Sequence, residues 1–416
     1  MQAPVADAAR ERAFSLPLSE INVSDPRLFQ DDTIGHYFAR LRRDDPVHHQ
    51  VDERFGPFWS VTKYKDIMQV EVNHQTYSSD IHLGGINIRD VPEAHRRPMF
   101  IAMDPPRHDD QRRTVSPIVA PGNLAQMEAT IRQRTRNVLD SLPRNETFNW
   151  VEKVSIELTT QMLATLFDFP FEDRRLLTWW SDVATADLTA GGPIDSDEKR
   201  TAELLKCLQY FTGLWNDRVQ RPPGNDLISM MAHSPATRNL SPVEFLGNLV
   251  LLIVGGNDTT RNSMSGGLHA LLTHPGEFAK LRGNPGLIAS LVPEIIRWQT
   301  PLSHMRRTAT ADAELGGKQI RKGDKVIMWY LSGNRDGEAI ERPDEFIIDR
   351  ARPRQHISFG FGIHRCVGNR LAELQLKILW EEMLPRFPVI ELMGEPERTF
   401  SNFVHGFTAL PVRIPG

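Results

Sequence analysis

Cys366 stands in the run Phe359-Gly360-Phe361-Gly362-Ile363-His364-Arg365-Cys366-Val367-Gly368, whose residue types suit the presentation of an anionic sulfur. Glycine adopts backbone angles closed to other residues, so this loop can turn tightly and pass close to a flat group. A helical pattern follows over residues 371–384. The start of a helix offers unpaired amide N–H groups and the positive end of its dipole. Such surroundings favour thiolate over thiol. With His364 and Arg365 beside it, a thiolate on a glycine-rich loop reads as an axial ligand to haem iron. The other cysteine, Cys207, lies in a helical pattern far away in sequence, so neither a zinc site nor a disulfide framework is indicated.

A second pair of residues with chemical potential is Asp258 and Thr259, an acid and an alcohol inside the apolar stretch that begins Leu251-Leu252-Ile253-Val254-Gly255-Gly256. Burying a carboxylate without a task is costly. The helix that must carry them starts at Ser241, an N-cap followed by Pro242 and by Glu244, which completes a capping box. The pattern continues to about Thr273, where His274-Pro275-Gly276 stops it. About 30 helical residues span about 45 Å. Gly255 and Gly256 each cost about 1 kcal/mol at mid-helix relative to Ala. They signal either close helix packing or a local deformation where something small or flat approaches the backbone.

The remaining elements are mostly helical, with apolar residues at three- and four-residue spacing over 124–142, 150–167 and 196–219. Short strands are expected at 58–62, at 325–329 after the turn Lys322-Gly323-Asp324, and at 411–414. The fold class is mainly α with a minor β portion. No repeat or low-complexity linker breaks the 416 residues, so one domain over 1–416 is expected, with a short mobile segment over about the first 15 residues. A net charge of −4 gives no footprint of nucleic-acid binding. The N-terminus lacks the basic and apolar regions of a secretory signal. The longest apolar run, 249–254, is far short of the roughly 20 residues that span a bilayer. The expectation is a soluble, cytoplasmic protein with no membrane span.

The Cys366 loop, Asp258-Thr259, Glu294-Ile295-Ile296-Arg297 and Asn334-Arg335-Asp336 resemble the motifs of the cytochromes P450, and the resemblance extends from about Leu28 to the C-terminus. It implies the P450 fold, haem b (iron protoporphyrin IX) and Cys366 as the iron ligand, with Phe359 and Gly360 lining the cofactor. Asp258 and Thr259 would deliver protons during oxygen activation. The glutamate and arginine of the ExxR pair would join a downstream arginine, Arg350 or Arg352, and lock the core without taking part in catalysis. Pro293, just before Glu294, would kink or restart that helix. His108 and Arg112, one helical turn apart, together with Arg307 and His364, would serve the haem propionates. Arg113 and Arg306 are neighbours that could share this role.

The segments around Asp258, after Arg297 and before Cys366 are similar to soluble bacterial P450s that hydroxylate medium-chain alkanes and fatty acids at the terminal carbon. That similarity implies an apolar small-molecule substrate, with Leu251, Val254 and Gly255 facing it from the long helix. Leu302, Ser303, Phe403 and Val404 would face it from a strand and a C-terminal loop, and residues 81–91 would form a lid. The alternative substrate is a compact terpenoid or a sterol side chain. Neither a cysteine cluster nor a dinucleotide fingerprint is present, so electrons would come from a separate 2Fe–2S ferredoxin and its NAD(P)H-dependent reductase. Arg112, Arg113, Arg365, Arg370 and Lys377 would form a basic face for that acidic donor. A haem sensor needs no proton delivery, so Asp258-Thr259 favours a monooxygenase using O2.

Overall fold

In the strand Lys325–Trp329 every residue is buried. Val326 and Met328 belong to one hydrophobic cluster, Ile327 and Trp329 to another. Successive strand side chains point to opposite faces, so this strand is covered on both sides, and its sequence is a near-continuous apolar run. It lies inside a five-stranded sheet of order Val47–Asp52, Gly56–Val61, Lys325–Trp329, His304–Ala309 and Tyr77–Ser78. The pair Gly56–Val61 and Lys325–Trp329 is parallel, and the other neighbours are antiparallel.

The computed structural model describes residues 3–416, 54% of them helical and 11% in strands, the mainly α class read from the sequence. Met1 and Gln2, part of the expected mobile segment, lie outside the described residues. The rest of that segment is a helix, Ala3–Ser15, with Ala13 buried among Ile21, Phe38 and Leu41. The chain divides into two compact units. One runs to Val91 and takes in Ser265–Cys366 and Glu391–Val412; the other comprises Pro92–Met264, Val367–Ile390 and Arg413–Gly416. Among the described residues no helix is long and apolar enough to cross a membrane.

The first unit holds the five-stranded sheet and the helix Ile288–Gln299. That helix runs through Pro293 rather than restarting there, and a single 3-10 turn, Pro285–Leu287, precedes it. Glu294 and Arg297 are fully buried. The guanidinium grips the carboxylate with two bonds of 2.7 and 2.8 Å and donates onward to the carbonyls of Asn334, Pro343 and Glu345. Arg350, not Arg352, is the third member, with Nε 3.1 Å from Glu294 Oε2. Burial pushes the Glu294 carboxyl up, but these cations more than offset it and hold it below the usual carboxylate range.

The second unit is built on Pro121–Asp140, Glu157–Phe167, Asp197–Val219 and the first two-thirds of the long helix Pro242–Thr273. The capping box is formed, with the Glu244 amide donating to Ser241 Oγ at 3.3 Å. The helix expected over 150–167 opens with a π-helical stretch, Val151–Ile156, a form often found at functional sites. Phe167 and Phe211 meet edge-on with centroids 5.2 Å apart, at the middle of a cluster that includes Leu163, Leu249, Ile253 and Cys207. Burial drives the Cys207 thiol far up, so it is inert packing.

The helix after the cysteine loop, Asn369–Arg386, is clamped to Pro121–Asp140 by Glu382, which receives Arg132 at 3.0 Å, Arg136 at 3.0 Å and Arg386 at 2.7 Å. The hydrogen bond from Arg136 leads these effects, and together they lower the Glu382 pKa to about 2 against burial. A carboxyl depressed in the folded state adds stability above its unfolded pKa and loses it as pH falls through the folded one. Glu382→Gln should therefore be less stable than the parent near neutral pH, and the gap should close as the pH drops below about 4.5. Urea-unfolding midpoints measured down to about pH 3 check this, and a gap independent of pH would refute it.

Candidate active site

The loop that ends at Cys366 turns through Gly360 and Gly362, with φ of +65° and +66°. Both lie in the left-handed region that side chains resist. The Cys366 amide donates to the Phe359 carbonyl at 2.8 Å, which closes the loop and leaves Cys366 exposed at its end. The following helix begins at Asn369. His364 is buried and Phe359 half-buried, its ring 5.5 Å from that of His356.

In the second unit the two central glycines of the long helix differ in purpose. A Cβ on Gly256 would lie 2.6 Å from Leu163 Cδ2, so this glycine permits close helix packing. A Cβ on Gly255 would meet nothing within 4 Å, and Gly255 is exposed. Half-buried Leu251, Val254 and Thr259 share its face, whereas Ile253, Asn257 and Thr260 are buried. The helix is continuous through both glycines.

Asp258 and Thr259 are turned to different partners. Thr259 donates its hydroxyl to the Gly255 carbonyl at 2.9 Å. Asp258 is fully buried, with Oδ1 2.6 Å from Arg261 Nη2 and Oδ2 accepting from Thr185 at 3.3 Å. Arg261 continues to the exposed Asp182 at 3.0 Å. Burial raises the Asp258 pKa above the ordinary carboxylate range, and Arg261 opposes this only in part. Next to it, buried Asn257 accepts from Thr159 at 2.9 Å. The sequence signal for this pair is spacing alone, since Arg261 stands one helical turn beyond Asp258.

Among the residues expected at the propionates, His108 and Arg112 share the helix Arg107–Val115. His108 is buried, with Nδ1 2.7 Å from Asp109, and burial lowers its pKa so that the ring stays neutral around pH 7. Arg307 lies in a buried ion pair, its guanidinium 2.8 Å from Glu71. Strand alternation sends Arg306 to the opposite face, where it pairs with Asp90 and donates to Leu83 O at 3.1 Å.

The first unit joins its four candidate substrate residues. Leu302 bridges Val404, and the Ser303 amide donates to the Phe403 carbonyl at 2.9 Å. The segment 81–91 is tied down at its far end, where Asp90 receives both Arg306 and Lys325, the latter at 2.8 Å, while Ile86 and Ile88 are buried. Its 3-10 turn, Ile81–Leu83, carries the exposed Leu83.

The residues present suit a haem. In the first unit the sulfur is exposed at the end of a loop pinned by its own backbone. The glycine pair also makes a stability prediction. Gly255→Ala should gain up to about 1 kcal/mol, because helix propensity is recovered at no steric cost. Gly256→Ala should gain less or lose, because Leu163 must turn aside. Denaturant unfolding of the two variants in parallel tests the assignment, and equal effects would contradict it.

A family model described as cytochrome P450 matches residues 287–414. Linalool 8-monooxygenase from Pseudomonas putida is 34% identical over 405 residues, covering 94% of this chain and 98% of that protein. The structure of CYP153D17 from Sphingomonas sp. PAMC 26605 is 51% identical with a TM-score of 0.89, covering 95% of this chain and 99% of the other. Cytochrome P450-153 from Novosphingobium aromaticivorans is 50% identical with a TM-score of 0.88, covering 94% and 98% respectively. With such identity along nearly its whole length, and with a mainly α fold and a presented cysteine, the chain belongs to the cytochrome P450 family of haem b monooxygenases.

Proposed function

We propose that this protein hydroxylates medium-chain alkanes or fatty acids at the terminal carbon, acting over 1–416 as one P450 domain. Haem b, held through the Cys366 sulfur, supplies the oxygen-activating chemistry. Phe359 and Gly360 line the cofactor, and His108, Arg112 and His364 bind its propionates. The raised pKa of buried Asp258 and its link through Arg261 to exposed Asp182 support a proton-relay role. Thr259, on the open face of the helix, holds the oxygen-bearing end of that relay.

The observation that carries the substrate reading is the union of Leu302, Ser303, Phe403 and Val404. Backbone pairing fixes the relative positions of these mainly apolar residues. A terminal methyl is the least reactive C–H of an alkane, so selecting it requires a chain held end-on in a near-attack position by a fixed wall. Leu251, Val254 and Gly255 add an apolar face with the same task. A second reading, a compact terpenoid or a sterol side chain, draws support from the 34% identity to a linalool monooxygenase.

Product analysis with octane and decanoic acid under a surrogate donor should give the terminal alcohols as main products. Subterminal products, or turnover confined to terpenoids and steroids, would favour the second reading. Thr259→Ala should consume reductant with several-fold less product, and unchanged coupling would remove Thr259 from the relay. Electrons come from a 2Fe–2S ferredoxin and its NAD(P)H-dependent reductase, attracted by the exposed Arg113, Arg365, Arg370 and Lys377 and the half-buried Arg112. Arg365→Glu should slow reduction by such a donor several-fold at low salt, and an unaltered rate would exclude docking at that residue.

A further inference from the structure

We infer that Glu71 is a positioning residue for the sulfur-bearing loop, an inference that rests on Cys366 being the iron ligand. Glu71 is the penultimate residue of the helix Tyr64–Val72 and is 3% exposed. Its carboxylate meets three donors from distant parts of the chain. Oε2 accepts from Arg307 at 2.8 Å, and Oε1 accepts from the Tyr330 hydroxyl and from the Phe361 amide at 3.3 Å. The Phe361 amide belongs to the loop itself.

The loop also rests on the Glu71 backbone. A Cβ on Gly362 would lie 2.4 Å from the Glu71 carbonyl oxygen, and a Cβ on Gly360 would lie 3.1 Å from Oε1. The two left-handed glycines therefore do more than turn the chain, since they allow it to lie directly against this one residue. Arg307 and Tyr330 fix the carboxylate from the sheet side: Arg307 is on the strand His304–Ala309, and Tyr330 follows Lys325–Trp329. A strand residue and the residue that follows the neighbouring strand thus hold one carboxylate, the carboxylate holds one amide of the loop, and the Cys366 amide closes the loop on Phe359.

Neither the iron ligand nor the proton relay needs a buried carboxylate at this position. A buried charge with three donors, one of them a ligand-loop amide, holds the loop at a set height above the sheet. Removing the carboxylate leaves Arg307 buried without its acidic partner and frees the loop amide. The sulfur would then spend more time protonated or displaced from the iron.

The test uses the haem-loaded protein, reduced under carbon monoxide, with haem content matched between variants. Thiolate ligation gives a red-shifted absorption band, and a protonated or lost sulfur ligand gives a band at shorter wavelength. Glu71→Ala should lose at least half of the red-shifted band, or convert it to the other form at least threefold faster at a mild urea concentration. Glu71→Gln keeps an acceptor for Phe361 and Tyr330 but no charge, and should lie between Ala and the parent. Tyr330→Phe removes a single bond and should shift the band ratio in the same direction by less. If Glu71→Ala fails to take up haem, the ranking parent, Tyr330→Phe, Glu71→Gln decides the matter. Variants that bind haem with the parent's band ratio and conversion rate would overturn the inference. A parent protein lacking the red-shifted band would instead overturn the assignment of Cys366 as ligand.

Discussion

Charge that is buried must be answered, and this constraint organises the parts of the molecule that bear on function. A carboxylate withdrawn from water costs far more than a surface ion pair returns, so each one survives only with cations and donors fixed around it. Glu294 has Arg297 and Arg350, Glu71 has Arg307 and Tyr330, and Asp258 has Arg261. Each group is a junction. The Glu294–Arg297 pair ties a helix to the chain around Asn334, Pro343 and Ile347, and Glu71 ties the last turn of a helix to a strand, to Tyr330 and to the cysteine loop. Breaking such a group by removing one member typically costs about 3–5 kcal/mol, a large share of a domain's net stability.

Two of these groups differ in what they leave free. Glu294 is saturated by two guanidinia and a backbone amide, which suits a residue with only structural work. Asp258 keeps a raised pKa and reaches an exposed acid through Arg261. The difference lies in the number and geometry of partners, since both acids are fully buried.

Glycines mark the places where the backbone must be approached. Gly256 admits Leu163, Gly362 admits the Glu71 carbonyl, and Gly255 leaves a face open. Three glycines that look alike in sequence thus have three causes, and only the surrounding atoms distinguish them.

Much was legible in the sequence because the relevant signals are local. The capping box at Ser241, the near-continuous apolar strand at 325–329, the ExxR spacing and the glycine-rich cysteine loop each depend on residues within a few positions of one another. Local sterics and periodicity act at that range. Choosing Arg350 over Arg352, giving Arg307 to Glu71 and tying Asp90 to Arg306 and Lys325 involve partners 56, 236, 216 and 235 positions apart. No periodicity spans such distances. Those pairings follow from which face of a strand or helix is turned inward and what charge is already buried there, and only the folded chain decides that.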